Sequence, residues 1–280
     1  MNRQFDTIAI LGVGLIGGSI GLAVLRRGLA SRVIGVGRRI EGLRMALEMG
    51  AITSFTLAPA EGVAEADLVV VCTPVGRIAD DVRTVARHCR SGTLITDVGS
   101  TKGAIVAEVG GSLPGGVQFI GSHPLAGSER SGAAAAEVDL FVDRVVVLTP
   151  SAATQSEDLE RLGDFWRSLG ARVVTMSAEE HDRALAITSH LPHLVASALA
   201  ASTPQELLQL TATGWADTTR IAAGDADLWR QIFASNRDSL LASLSSFEQQ
   251  LASFRAALEG RDDDGLVELL AAAKRRRDTA

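Results

Sequence analysis

The stretch Thr7-Ile-Ala-Ile-Leu-Gly12-Val-Gly14-Leu15-Ile16-Gly17-Gly18-Ser19 decides the architecture. Thr7–Leu11 is a continuous apolar or β-branched run rather than an alternating one, the pattern of a parallel strand covered on both faces. A G-x-G-x-x-G follows at once and opens a segment of helical period, Ser19–Arg27. Strand before and helix after turn a weak glycine pattern into a dinucleotide-binding signature. Gly12 permits the tight turn, Gly14 lets the backbone approach a pyrophosphate, and Gly17 lets helix and strand pack closely. The helix start at Leu15 and Ile16 offers free N–H groups and positive dipole to the phosphates.

Similar strand runs recur at Arg32–Val36, Leu68–Cys72, Thr93–Asp97, Val117–Gly121, Arg144–Leu148 and Arg172–Met176. Helical stretches such as Ile78–His88 and Ser156–Leu169 lie between them, so the first part reads as a doubly wound parallel sheet. After Met176 no strand-length β-branched run remains. Ala, Leu and Ser at helical spacing predict helices over Glu180–Ala201, Pro204–Thr211, Leu228–Ala234, Arg237–Leu258 and Asp264–Arg276. The expected organisation is α/β: an N-terminal Rossmann-type domain over 1–176 and an all-α C-terminal domain over 177–280.

Composition narrows the function. Hydrophobic residues at 46% and charged residues at 21% describe an ordinary globular chain and exclude disordered and fibrous classes. The 27 Lys+Arg against 33 Asp+Glu give a net charge of -6, which argues against a nucleic-acid groove. The absence of a long uninterrupted apolar run predicts no membrane span. The N-terminus enters a strand within six residues, so no leader is expected. Two cysteines, Cys72 and Cys89, make neither a disulfide framework nor a thiolate metal site. A cytoplasmic protein without a metal is expected.

The second strand chooses the nucleotide. An acidic residue about 20 positions past the glycine motif holds the ribose 2′-hydroxyl of NAD. Counting from Gly17 reaches Gly37, followed by Arg38 and Arg39. No carboxylate stands there to repel a 2′-phosphate and two guanidiniums follow, so NADP is favoured over NAD. Thr73 and Pro74 in Cys72-Thr73-Pro74, and Ser100 in Asp97-Val-Gly-Ser100-Thr-Lys-Gly103, end later strands where ligands collect.

Of five histidines, His88 belongs to a surface-type helix. His123 lies after a strand in Gly121-Ser-His-Pro-Leu-Ala-Gly127. His181 opens the helical part, and His190 and His193 share a face in Ser189-His-Leu-Pro-His193, where Pro192 is expected to kink the helix. His181 is nine residues before His190, which on a straight helix points it the other way. A structural and a functional His181 are equally compatible with that spacing.

GVGLIGGS, CTPV, DVGSTKG, GSHPLAG, SHLPH and the DTTRIA of Asp217–Ala222 occur in the order and spacing of the prephenate and arogenate dehydrogenases, and the chain resembles that family from about residue 7 to 250. The resemblance implies an NAD(P)-dependent oxidoreductase of tyrosine biosynthesis that converts prephenate to 4-hydroxyphenylpyruvate, or arogenate to tyrosine. It implies a homodimer joined through the helical domain, with substrate in the cleft between domains. By the same resemblance His123 draws off the ring-hydroxyl proton, and Ser100 orients that imidazole beside the nicotinamide. Arg220 binds the ring carboxylate, His193 and His190 contact polar substrate groups, and Ser128, Glu129 and Asp217 stand at the cleft mouth. Two other readings compete. A 3-hydroxy-acid dehydrogenase would rely on a lysine in the helical domain, yet the chain holds only Lys102 and Lys274. A non-catalytic nucleotide-binding dimer would lack the site groups, and Ser100, His123 and Arg220 are all present.

Overall fold

Thr7–Leu11 forms strand β1 with every residue buried. Ile8 and Ile10 join Ile20, Val24 and Trp166 in one hydrophobic cluster, while Ala9 and Leu11 join Ile78 and Val82 in another. The strand is therefore covered on both faces, which is why its sequence shows no polar alternation. The computed structural model describes residues 5–111, 113–127, 130 and 132–279.

The other strands are β2 (Arg32–Val36), β3 (Ser54–Thr56), β4 (Leu68–Val71), β5 (Leu94–Asp97), β6 (Gln118–Pro124), β7 (Val145–Thr149) and β8 (Arg172–Thr175). They make one sheet in the order β3-β2-β1-β4-β5-β6-β7-β8. All neighbours are parallel except β6 and β7. Helices α1 (Leu15–Arg26), α2 (Ile40–Glu48), α3 (Pro59–Val63), α4 (Ile78–Ala86), α5 (Gly103–Val109) and α6 (Ser156–Ser168) connect or flank the strands. Strand order reverses between β1 and β4, and the crevice at their carboxyl ends is where an open α/β sheet receives a ligand. The fold class expected from the sequence is present. Strand β3 escaped that reading because three residues carry no period.

Strand β6 corrects a second expectation. His123 does not follow the strand but lies inside it. Gln118–Ile120 pair parallel with β5, and Gly121–Pro124 pair antiparallel with β7. The strand thus changes partners two residues before the histidine.

Beyond β8 the chain is helical: α7 (Ala178–Leu185), α8 (Leu191–Ser202), α9 (Thr213–Thr219), α10 (Ala226–Ser235), α11 (Arg237–Gly260) and α12 (Asp263–Asp278). Ser177 caps α7 through a capping box with Glu180. The single helix expected over Glu180–Ala201 is instead α7 and α8 joined by a π-helical turn, Ala186–His190, in which the Leu191 N–H reaches back five residues to the Ala186 carbonyl. Pro192, expected to kink the helix, falls in the first turn of α8. The extra residue absorbed by the π turn resets the phase. His181 and His190, about 180° apart on a regular helix, come to roughly 80°.

The segment Ala178–Ser202 is long and apolar enough to cross a bilayer by length and composition alone, which a count of uninterrupted apolar residues does not register. His190, Ser189 and Thr188 break its apolar run without adding charge. Here it packs on α9 and α11 and carries three of the histidines.

Candidate active site

One end of the candidate site is made of backbone. Gly12 has φ 90°, and its N–H donates to the Val36 carbonyl at 2.8 Å. A Cβ there would lie 2.7 Å from the Cys72 carbonyl oxygen, so the turn is wedged between the ends of β2 and β4. A Cβ on Gly17 would come within 2.3 Å of the Gly12 carbonyl. Gly14, directly before α1, is different: nothing lies within 4 Å of its Cβ position. Leu15 and Ile16 supply the first N–H groups of α1. Nearby in the chain order of the sheet, the Thr73 hydroxyl is buried with no hydrogen-bond partner among the described residues. An open glycine at a helix N-terminus and an orphaned hydroxyl at the end of the next strand fit an anionic, hydrogen-bonding ligand such as a dinucleotide.

Gly37, Arg38 and Arg39 leave β2 beside this turn, and both arginines are exposed without a salt bridge among the described residues. Arg39 immediately precedes α2. Pro74 is exposed after β4, and Ser100 is half-buried after β5.

The other end of the site is made of buried side chains. His123 Nδ1 lies 2.8 Å from His181 Nε2, and His181 Nδ1 lies 2.8 Å from Asp182 Oδ1. Asp182 also accepts the backbone N–H groups of Lys102 and Gly103, each at 2.8 Å. Burial raises the Asp182 pKa, but these three hydrogen bonds outweigh it and leave the carboxyl below its ordinary range. Asn236 donates from Nδ2 to the Asp182 carbonyl at 2.7 Å and to His190 Nδ1 at 3.1 Å.

Lys102 lies beneath, fully buried, donating to the Asp97 carboxylate and to the Ser122 carbonyl. Burial lowers its pKa against the opposing pull of Asp97. Burial also holds the His123 pKa well below 6.5, helped by His181, Lys102 and His190. His190 is pulled by burial down to about 4, against the field of Asp182. Both rings are neutral near pH 7, the state in which an imidazole accepts a proton.

His193 stacks on Trp229, with centroids 3.6 Å apart and planes at 13°, and Trp229 meets the His190 ring edge-on at 6.3 Å. His193 Nδ1 is buried without a partner among the described residues. His193 and Trp229, with Ala222 and Gly224, line a cavity of about 570 Å³ that also meets α11. A Cβ on Gly224 would lie 2.6 Å from Trp229 Nε1 and 3.2 Å from His193 Cε1.

The family description "Prephenate dehydrogenase, nucleotide-binding domain" matches residues 20–175, and "Prephenate dehydrogenase, dimerization domain" matches 177–272. The chain belongs to the prephenate dehydrogenase family. The dehydrogenase is 36% identical to prephenate dehydrogenase of Bacillus subtilis, across 99% of its own length and 77% of the relative's. Its fold superposes with a TM-score of 0.90 on a prephenate dehydrogenase of A. aeolicus crystallised with hydroxyphenyl propionate and NAD+, at 29% identity and 98% coverage of both chains. An arogenate dehydrogenase from Synechocystis superposes at 0.85, with 30% identity over 98% of this chain and 99% of that one.

The structure of the dehydrogenase joins His123 to His190 through His181, Asp182 and Asn236, and His190 to His193 through Trp229. Arg220 and Asp217 are exposed. Arg220 starts the turn that leads to Ala222 and Gly224, so it adjoins the His193 cavity without a hydrogen bond to the histidine chain among the described residues. Ser128 and Glu129 lie outside the described residues. Ser100, expected to orient the His123 ring, makes no hydrogen bond to it among the described residues; the hydrogen bond at its Nδ1 is shared with His181 Nε2. The sequence leaves His181 open between a structural and a functional reading and does not single out Lys102, Asp182, Trp229 or Asn236. The one local signal was a histidine followed directly by an aspartate, just past a helix cap.

Proposed function

We propose that this NAD(P)-dependent dehydrogenase oxidatively decarboxylates prephenate to 4-hydroxyphenylpyruvate in tyrosine biosynthesis, with His123 as the base. The observation that carries the assignment of His123 is its ring at the end of β6, fixed through Nδ1 by His181 and leaving the second ring nitrogen without a hydrogen bond among the described residues. Arogenate, with an amino in place of the keto side chain, is the second substrate reading, favoured by the similarity to the Synechocystis enzyme.

In this reading Gly12, Gly14, Gly17, Leu15, Ile16, Thr73 and Pro74 hold the nucleotide, and Ser100 borders its nicotinamide. When bound, the nicotinamide supplies the hydride acceptor. His123 Nε2 would take the proton of the ring hydroxyl as hydride leaves the carbon that bears it; the ring carboxylate then departs as carbon dioxide, its bond electrons making the ring aromatic, and the resulting phenolate recovers the proton from His123. General-base help of this kind is worth roughly 10²–10⁴-fold. Arg220 grips that carboxylate, which suits a planar guanidinium. His193 and His190 meet the substrate's polar groups, and Ser128, Glu129 and Asp217 stand at the cleft mouth. Because aromatisation drives the loss of carbon dioxide, the protein's task is to align the reactants and to take and return one proton.

NADP preference rests on Gly37 with Arg38 and Arg39 beside the glycine turn. The chain divides functionally at 176/177, where β8 gives way to α7. Exposed Leu241, Leu251 and Leu258 on α11 and Val267 and Leu270 on α12 favour a homodimer through the helical part. A cytoplasmic location accords with this biosynthetic role. Turnover of prephenate and of arogenate, each with NAD and with NADP, tests the whole reading. No reduced nicotinamide in any of the four reactions would overturn it.

A further inference from the structure

We infer that His181 and Asp182 form, with His123, a three-residue proton relay that sets the tautomer of the base, holds the substrate's hydroxyl proton while carbon dioxide leaves, and returns it to the phenolate oxygen of the product. This rests on the reading of His123 as the base.

Hydrogen-bond accounting fixes the direction. Asp182 receives three donors and acts as an ionised acceptor, so the proton between it and His181 sits on His181 Nδ1. His181 Nε2 then holds a lone pair and must accept from His123 Nδ1–H. That leaves His123 Nε2 as the bare nitrogen. With both rings neutral and Asp182 ionised, the reverse order would set a His181 Nδ1 lone pair against the Asp182 carboxylate.

The same chain handles the proton after capture. When His123 Nε2 gains the hydroxyl proton, its Nδ1 proton passes to His181 Nε2. His123 is again neutral, and the positive charge rests on His181, against Asp182. A charge left on His123 would sit in a desolvated place near the Lys102 ammonium and His190. Asp97 neutralises Lys102 from below, so it offers His123 no comparable relief. Asp182 also borders a cavity of about 460 Å³, to which Glu179, Arg183, Arg237 and Asp238 contribute. His193 and Trp229 do not line it; they line the other cavity. Once carbon dioxide has left, the proton returns from His181 through His123 to the phenolate oxygen, so no net proton is released and the relay is reset.

The π turn supports a functional rather than incidental arrangement. It brings His190 to Asn236, whose amide also holds the Asp182 backbone, so one side chain braces both the relay and the substrate-side histidine.

The test uses the full-length enzyme with prephenate and its preferred nucleotide, comparing Asp182→Asn and His181→Gln with His123→Asn. Both relay variants are expected to lose ten-fold up to about 10⁴-fold in kcat, with KM within about threefold. The acid limb of kcat/KM in Asp182→Asn should move down by about one pH unit or more, because a carboxylate that stabilised the protonated pair is gone. Nitrogen-15 spectra of histidine-labelled wild-type enzyme should show the His123 proton on Nδ1. Folded relay variants with wild-type kcat and an unmoved acid limb, beside an inactive His123→Asn, would overturn the relay and leave His123 as the base. An active His123→Asn would instead remove the reading on which the relay stands. Should the variants fail to fold, a wild-type His123 proton on Nε2 refutes the relay by itself.

Discussion

The two ends of the site are built from opposite materials. At the proposed nucleotide end, Gly12, Gly14 and Gly17 lack side chains, and the groups on offer are backbone N–H groups at the start of α1. At the proposed proton end, His123, His181, Asp182, Asn236 and Lys102 come from β6, α5's approach and the helical half, and every contact uses at least one buried side chain. A backbone site is sensitive to added atoms. A side-chain site is sensitive to removed ones.

The strongest way to break this contrast is His123→Asn. It should lower kcat by two or more decades with little change in KM, read by steady-state kinetics; wild-type kcat would move the chemistry elsewhere. Next, Arg220→Gln should raise KM for prephenate by about ten-fold or more, since the charge-assisted bond it removes is present in ground and transition states alike. A pure kcat effect would place Arg220 outside substrate binding.

The glycines sharpen the other side. Gly14→Ala should leave the melting temperature in place, because its Cβ meets no protein atom, yet weaken NAD(P) by about ten-fold in a binding titration. Gly17→Ala, whose Cβ would collide with the Gly12 carbonyl, should lose both affinity and about 1–3 kcal/mol of stability. Equal behaviour of the two would deny that Gly14 faces the ligand. Replacing Arg38 and Arg39 together by Ala should weaken NADP by about ten-fold and NAD hardly at all.

The smallest effect concerns pH. The His190 pKa is about 4 in the folded protein, below the value of about 6.5 in an unfolded chain. As acid is added the unfolded state takes the proton first, so the stability that neutral His190 lends is complete above about 6.5 and is lost as pH falls through that value toward 4. Melting curves of His190→Gln across that window should slope less steeply than those of wild type.

The same contrast explains what was legible in the sequence. The β1–turn–α1 signature is contiguous, and its glycines have local meanings, so the nucleotide end and the sheet could be read directly. GSHPLAG and SHLPH marked His123, His190 and His193 through resemblance. His181 was undecided because a regular helix points it away from His190, and nothing in Ala186–His190 announces a π turn. Asp182 and Lys102 meet across 80 residues. Their partnership depends on how the helical half lies against the sheet, and no period or spacing encodes that. Short β3 was missed for a simpler reason: three residues hold no pattern.

The π turn between α7 and α8 has one more consequence. It makes the distance in sequence between His181 and His190 a fixed count, because each residue added or dropped there swings the rest of the helix by about 100°. Side-chain exchanges at exposed Ile187 or Thr188 should pass easily, whereas a one-codon insertion or deletion should scramble the histidine cluster while leaving the rest of the enzyme folded.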